Sequence, residues 1–356
     1  MLSRRQFLAF AGGLALGGLV AHFRLAWAAA KEWSLDEFAK NIQSGGPPKD
    51  GIPPIERPKY VSAAEAEKFL KPKDIVFGLD YRGVVKAYPQ KILVWHEIVN
   101  EQIAGEKLSI TYCPLTGSVV GFRGRSKGGE WLTFGTSGKL VNSNLLMYDR
   151  QTNSEWPQIL GVAISGPNKG ATLEEIPLAW TNWSRWQKRH PNSQVLSTET
   201  GFFRSYGRDP YGSYERQGTY YDSAGPFFPI MAQDNRFSPK QVVVGIKADG
   251  RRLAIPKENL RAKKFAQASL GKSPLVALYD PDIDAVSVYF RRAQGKDLTF
   301  RSEDGRIVDE QTQSVWKGDG RAAEGKLAGA RLKQVPSFDV MWFAWYAFFP
   351  ETQVLS

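Results

Sequence analysis

The chain has 356 residues, 42% of them hydrophobic and 23% charged, with a formal net charge of +11. That length holds one large or two ordinary hydrophobic cores. The basic residues are scattered rather than interleaved with an aromatic stacking platform, so nucleic acid is not expected as a partner, and a single cysteine excludes an intrachain disulfide.

At the start, Ser3-Arg4-Arg5-Gln6-Phe7-Leu8, a glycine-rich apolar stretch to Phe23 and then Ala26-Trp27-Ala28 read as a twin-arginine signal with an A-x-A cleavage site. The apolar stretch is too short for a bilayer anchor and is interrupted by Gly12, Gly13, Gly17 and Gly18. The expectation is a signal over 1–28, no transmembrane segment after its removal, and a periplasmic or extracytoplasmic protein exported in folded form. Its basic balance points to peripheral contact with an anionic membrane or cell-wall surface.

Residues 29–74 form an N-terminal arm and a short helix. Gly45 to Pro54 is too rich in glycine and proline for a regular element and is expected to lie on the domain as an ordered arm. Ser62-Ala63-Ala64-Glu65 is a capping box opening a helix that ends near Leu70. From 75 to 197 the apolar runs are short, β-branched and punctuated by glycine: Ile75 to Leu79, Val84 to Tyr88, Leu108 to Tyr112, Ser118 to Phe122 and Leu145 to Tyr148 predict strands. Trp180, Trp183 and Trp186 at three-residue spacing predict a helix before His190-Pro191. Residues 198–242 carry Tyr206, Tyr211, Tyr214, Tyr220 and Tyr221, too aromatic for a floppy linker, and should pack along a seam.

Residues 243–356 repeat what precedes the seam. Phe77, Gly78, Gly83, Ala87, Pro89, Tyr112 and Pro114 face Val244, Gly245, Gly250, Ala254, Pro256, Tyr279 and Pro281 at one constant offset. After a length change, Asp149, Thr152, Ser154, Trp156, Trp183 and Trp186 face Asp309, Thr312, Ser314, Trp316, Trp342 and Trp345. Turns and core anchors must be rebuilt in each copy, so the recurring tryptophans read as core rather than as a carbohydrate platform. Residues present in one copy only are freed from that duty: His96 faces Lys263, Cys113 faces Asp280, His190 faces Phe349, and the first copy is longer over 137–144.

Trp95 to Glu101 and Leu108 to Cys113 read as a hairpin turning between Ala104 and Gly105, a register that sets His96 directly across from Cys113. Lys263 and Asp280 would then form a cross-strand ion pair in the second copy. A thiol beside an imidazole has two chemical uses. The pair can ligate copper or another soft transition metal with Met147 or His190 completing the set, or His96 can act as base to a Cys113 nucleophile. A buried strand cysteine beside a satisfied histidine is the plain alternative. The insertion supplies Ser137, Gly138, Asn142, Ser143 and Asn144, followed by Asp149, and reads either as a loop folded over a site with donors for a polar ligand or as a solvated turn. No P-loop, dinucleotide fingerprint, H-E-x-x-H or G-x-S-x-G occurs.

Asp50-Gly51-Ile52-Pro53, Ala87-Tyr88-Pro89, Trp95-His96-Glu97-Ile98-Val99-Asn100, Thr111-Tyr112-Cys113-Pro114-Leu115-Thr116, Asn142-Ser143-Asn144-Leu145, Met147-Tyr148-Asp149-Arg150-Gln151-Thr152 and His190-Pro191 resemble the secreted prokaryotic family catalogued as domain of unknown function three-one-seven-nine. The resemblance covers most of the chain. It implies an exported or surface-attached protein and brings no established activity, substrate or cofactor. Its recurrent cysteine and histidine motifs fall on Cys113 and His96. Members often carry a second cysteine where this chain has Thr116, so the resemblance implies no dithiol here.

The expected fold is mainly β, β-rich α+β: two tandem pseudo-symmetric repeats, each a β-sheet or partly closed barrel unit ending in a short tryptophan-bearing helix. The expected function is an exported binding protein with a site at Cys113 and His96, with a thiol-dependent enzyme and a structural or partner-binding envelope protein as alternatives.

Overall fold

Short β-branched runs joined by two-residue turns set the local structure. Ile75–Tyr81 and Val84–Pro89 pair antiparallel across Arg82 and Gly83, both at positive φ (51° and 81°). That is the turn whose twist suits a tight hairpin, and glycine takes its second position at no steric cost. The computed structural model describes residues 31–356, which form one compact unit. The expected twin-arginine signal lies outside the described residues.

The chain is mainly β, built from several sheets with short helices and no closed barrel among the described residues. In the first half, Ala179–Asn182, Ile75–Tyr81, Val84–Pro89 and Gln194–Leu196 lie side by side, with Tyr60–Val61 added at the edge. A second sheet orders Glu174–Ile176, Ser118–Arg123, Glu106–Cys113 and Ile98–Ile103. A third joins Gln43–Ser44 of the arm to Phe134–Val141, Asn144–Asp149 and Glu155–Pro157. The second half arranges its strands in corresponding order, for example Ser337–Met341, Val242–Ala248, Arg251–Pro256 and Gln353–Val354. In both halves the last strand pairs parallel to the second strand of the opening hairpin.

Each half closes with a helix, Trp183–Arg189 and Trp342–Phe348. Trp180, expected on the helix, lies on the preceding strand opposite Phe77, because Asn182 caps the helix and starts it after that residue. Trp156, Trp183, Trp186, Trp316, Trp342 and Trp345 are all buried, so they are core anchors. A side chain at Gly78 would overlap the Trp186 ring, and one at Gly245 would overlap Trp345. Recurrent glycine and recurrent tryptophan are two sides of one contact. A second shared device is the Asp149 carboxylate, which accepts from Thr152 and from the Trp156 indole at 2.9 Å, as Asp309 does from Thr312 and Trp316 at 2.9 Å.

The helices differ in surroundings. Trp183–Arg189 ends in Lys188 and Arg189 and keeps one face in water, whereas Trp342–Phe348 is apolar nearly all round and buried. Trp342, Phe343, Trp345 and Phe348 share one core with Cys113, Leu115, Leu145, Met147 and Trp156 of the first half. The seam segment contributes Tyr220 and Tyr221 to that core. The helix opened by Ser62 has the expected capping box but is limited to Ala63–Ala66. The stretch 137–144 is not a loop: it lengthens the hairpin Phe134–Val141 and Asn144–Asp149, turned by Asn142 and Ser143 at φ 52° and 60°. No helix among the described residues is long and apolar enough to cross a membrane.

The glycine contact sets a test. Gly78→Ala and Gly245→Ala are each expected to cost about 1–3 kcal/mol by overpacking, read from denaturant unfolding at unchanged m-value. A neutral result at either position would remove the indole-on-glycine contact as a determinant of the fold.

Candidate functional site

The hairpin under the site has the expected register. Ile103 lies opposite Glu106 and Ile98 opposite Thr111, turned by Ala104 and Gly105. Its first strand begins only at Ile98, however, because the helix Gln90–Leu93 and the turn after it take up the residues before it. The Glu97 carbonyl still accepts the Tyr112 N–H in register at 2.8 Å, but Glu97 sits at φ 57°, and this left-handed residue breaks the extended backbone just where His96 would have joined the strand. His96 therefore does not face Cys113 across a ladder. Its Nδ1 lies 2.7 Å from the Pro53 carbonyl and its Nε2 2.7 Å from the Tyr206 hydroxyl. A carbonyl only accepts, so Nδ1 carries the proton and Nε2 accepts from Tyr206. His96 ties the arm to the seam segment. In the second half the same shortening leaves Lys263 on the helix Lys257–Lys263, and Asp280 pairs instead with Arg189 at 3.0 Å, so the expected Lys263–Asp280 pair is not made.

Cys113 ends the strand Glu106–Cys113 and is 1% exposed. Its sulfur accepts the Leu145 N–H at 3.4 Å and lies 4.0 Å from the Ser143 carbonyl. Burial pushes the thiol up to about 11, and the negative charge of Glu97 adds to the rise against the opposing pull of the Thr116 hydroxyl. Glu97 is itself 6% exposed, and burial alone pushes its carboxyl up to about 8. No hydrogen bond or ion pair reaches that carboxyl among the described residues.

Phenols of the seam segment close over this pair. Tyr211 is driven up first by burial and then by the charges of Glu97 and Cys113, and Tyr220 by burial and then Cys113. Tyr220 donates to the Leu115 carbonyl at 2.6 Å, two residues beyond the thiol. Tyr214 stacks on Tyr221 at 3.6 Å between ring centres and shares a 3.0 Å hydrogen bond with Tyr112. Asp209 accepts from Gln90 at 2.7 Å and from Tyr221 at 2.8 Å, fixing the segment to the first half. Two clefts meet at Pro210 and Tyr211. One, about 1250 Å³, runs past Gln90, Tyr214 and Tyr220, and the other, about 470 Å³, past Ile52, Trp95 and Phe203.

The remaining residues expected at the site are engaged elsewhere. Met147 is buried in a strand between Thr136 and Trp156. His190 follows the helix end and its ring lies 4.2 Å from that of Trp186, in a separate core cluster. Among the described residues no group of three or more His, Cys, Asp and Glu side chains gathers to hold a metal ion. Ser137 donates to the Leu146 carbonyl, and Gly138 lies under Pro47 and Pro48 of the arm. Asn142 bonds Ala347 and Met231, Ser143 bonds Phe228, and Asn144 bonds Thr116, Gln158 and Ile159. These amides and hydroxyls pin the seam segment and the second half to the hairpin. Glu97 is not singled out by its residue type, and the offset that sets Cys113 against Asp280 sets it against Lys264, a residue with the same left-handed backbone at φ 70°.

The Glu97 carboxyl has a definite consequence for stability. Folding raises its ionisation from the ordinary 4.5 to about 8, so the folded state holds a proton that the unfolded state releases. The stability tied to that proton is complete below about pH 4.5 and is lost as the pH rises through about 8. Glu97→Gln should match the parent near pH 4.5 and exceed it increasingly from pH 6 to 9 in urea unfolding. A gap that stays flat across that range would contradict an enclosed, unpartnered carboxyl.

No curated protein and no solved structure matches the chain. A family model does, across residues 49–352, spanning the arm, both halves and the seam. The chain belongs to the family described as Protein of unknown function (DUF3179).

Proposed function

We propose that this is an exported binding protein that works at an anionic envelope surface and takes a small polar ligand between Cys113 and Glu97, beneath the tyrosines of the seam. The observation that carries the reading is Glu97. A carboxyl on a residue only 6% exposed, without a protein partner and on a left-handed backbone, costs stability on two counts, and such costs concentrate at sites of function. Its neighbours are the one thiol of the chain and a set of phenols, which can also hydrogen-bond. At neutral pH the thiol and the carboxyl both hold their protons, so the two groups offer donors and acceptors without net charge. That suits a small uncharged ligand with its own donor and acceptor. Export is supported by the twin-arginine sequence at Ser3 to Leu8.

Binding is favoured over nucleophilic chemistry by two features. Burial raises the Cys113 thiol instead of lowering it, and both ring nitrogens of His96, the base of the enzyme reading, are already taken. Copper ligation would need to proceed without either imidazole, since His190 is also committed elsewhere.

Native mass spectrometry of protein purified without chelator tests the proposal. The parent chain is expected to carry a bound mass above its sequence mass that Cys113→Ser and Glu97→Gln both lose, and the same added mass, or none, on all three would overturn it. Elemental analysis of the same samples identifies a metal if the bound mass is one. Iodoacetamide should label Cys113 slowly near pH 7 in the folded protein and readily after unfolding, and rapid selective labelling of the folded form would turn the assignment toward a thiol enzyme.

A further inference from the structure

The loop from Thr200 to Arg208 carries the least protected aromatic ring in the described molecule. Phe203 is 102% exposed and Phe202 43%, against a background in which nearly every other large apolar side chain is covered. The loop is built rather than slack. Tyr206 bonds both His96 and Thr200, the Phe202 ring lies 5.5 Å from that of His96, and the Arg208 carbonyl accepts the Trp95 indole at 3.0 Å. Holding Phe202 back while Phe203 projects presents one ring to solvent from a fixed base.

The charges within the loop have one sign, and the acids that bracket it are engaged, Glu199 by Lys59 at 3.2 Å and Asp209 by Gln90 and Tyr221. No acid occurs between Thr200 and Arg208, where Arg204 and Arg208 are both exposed. Lys71, Lys73 and Arg216 line the adjoining cleft with Arg208, and none of these five cations has an acidic partner among the described residues. Of the acids lining that cleft, Asp74 pairs with Lys91, Asp209 is taken by Gln90 and Tyr221, and Glu215 alone is exposed. An exposed ring flanked by unpaired arginines matches a surface that is apolar within and anionic at its face. An anionic polymer would complement the arginines but offers nothing to Phe203.

We propose that the loop Thr200 to Arg208 docks this protein onto an anionic lipid bilayer, with Phe203 entering the acyl boundary and Arg204 and Arg208 at the headgroups. The proposal rests on the envelope location inferred above for its physiological meaning, although lipid binding itself does not depend on export. Docking in this way turns the cleft lined by Phe203, Arg204 and Tyr211 toward the membrane.

The test uses the compact unit from Lys31 onward, which removes the apolar leader as a source of lipid binding, in co-sedimentation with phosphatidylcholine vesicles with and without phosphatidylglycerol. Binding is expected only with phosphatidylglycerol and should weaken as salt rises. Phe203→Ser should lower the partition coefficient about tenfold, and Arg204→Gln and Arg208→Gln about fivefold each, with unfolding midpoints unchanged because all three side chains are exposed. Cys113→Ser should bind vesicles like the parent, so a failure of the pocket proposal leaves this one standing and the reverse holds too. Equal binding to neutral vesicles, no binding at low salt, or undiminished binding by Phe203→Ser each overturns the proposal. Loss with the arginine variants but not with Phe203→Ser would assign the surface to an anionic wall polymer instead.

Discussion

The indole-on-glycine contact is what the remaining architecture rests on. A glycine in the opening strand of each half lets a tryptophan from the closing helix lie flat against the sheet, so the end of each half is pinned to its beginning. Helix and strand are far apart in sequence, and a contact of that kind brings them together only if the strand offers no side chain at that point. In the second half the same pin holds a helix that is apolar on almost every face, and that helix can be buried because the first half supplies the other wall. The core holding Cys113 is therefore shared between the halves.

That placement decides the chemistry of the thiol. The Cys113 sulfur meets the Leu145 N–H and lies near the Ser143 carbonyl, and the Glu97 charge acts on it electrostatically, with no cation among the groups acting on it. Desolvation favours the protonated form of both acids, and a neighbouring carboxylate would raise the thiol further. The two groups thus reinforce each other in the neutral state, a different arrangement from a thiolate beside an imidazolium. In such a poorly solvated space each unmatched polar group is costly and each matched hydrogen bond is correspondingly strong.

The seam segment supplies both the tyrosines near Cys113 and Glu97 and the exposed loop beside them. His96 connects the two, bonding the arm at Pro53 and the segment at Tyr206 while the ring of Phe202 rests nearby. Ser143 and Asn142 hold the other end of the segment through Phe228 and Met231. Side chains that resemble ligand donors in a list of residues are here the fastenings of a cover, and movement of that cover would have to break these bonds.

What the sequence by itself determined was local and periodic. The strands, the two-residue turns at Arg82-Gly83 and Ala104-Gly105, the capping box at Ser62, the hairpin register and the burial of the tryptophans follow from side-chain alternation, turn chemistry and apolar anchoring, which neighbours along the chain impose. The corresponding strand orders of the halves are in keeping with the recurrence of glycine and tryptophan in the sequence. The direction of His96, the enclosure of Glu97, the hairpin made from the stretch 137–144 and the placement of Trp180 on a strand were decided by tertiary structure. Each depends on where a helix or a left-handed residue interrupts a strand and on which distant segment then covers it. Desolvation is a property of that cover, so the ionisation of Glu97 and Cys113 became legible only once the seam segment was in place.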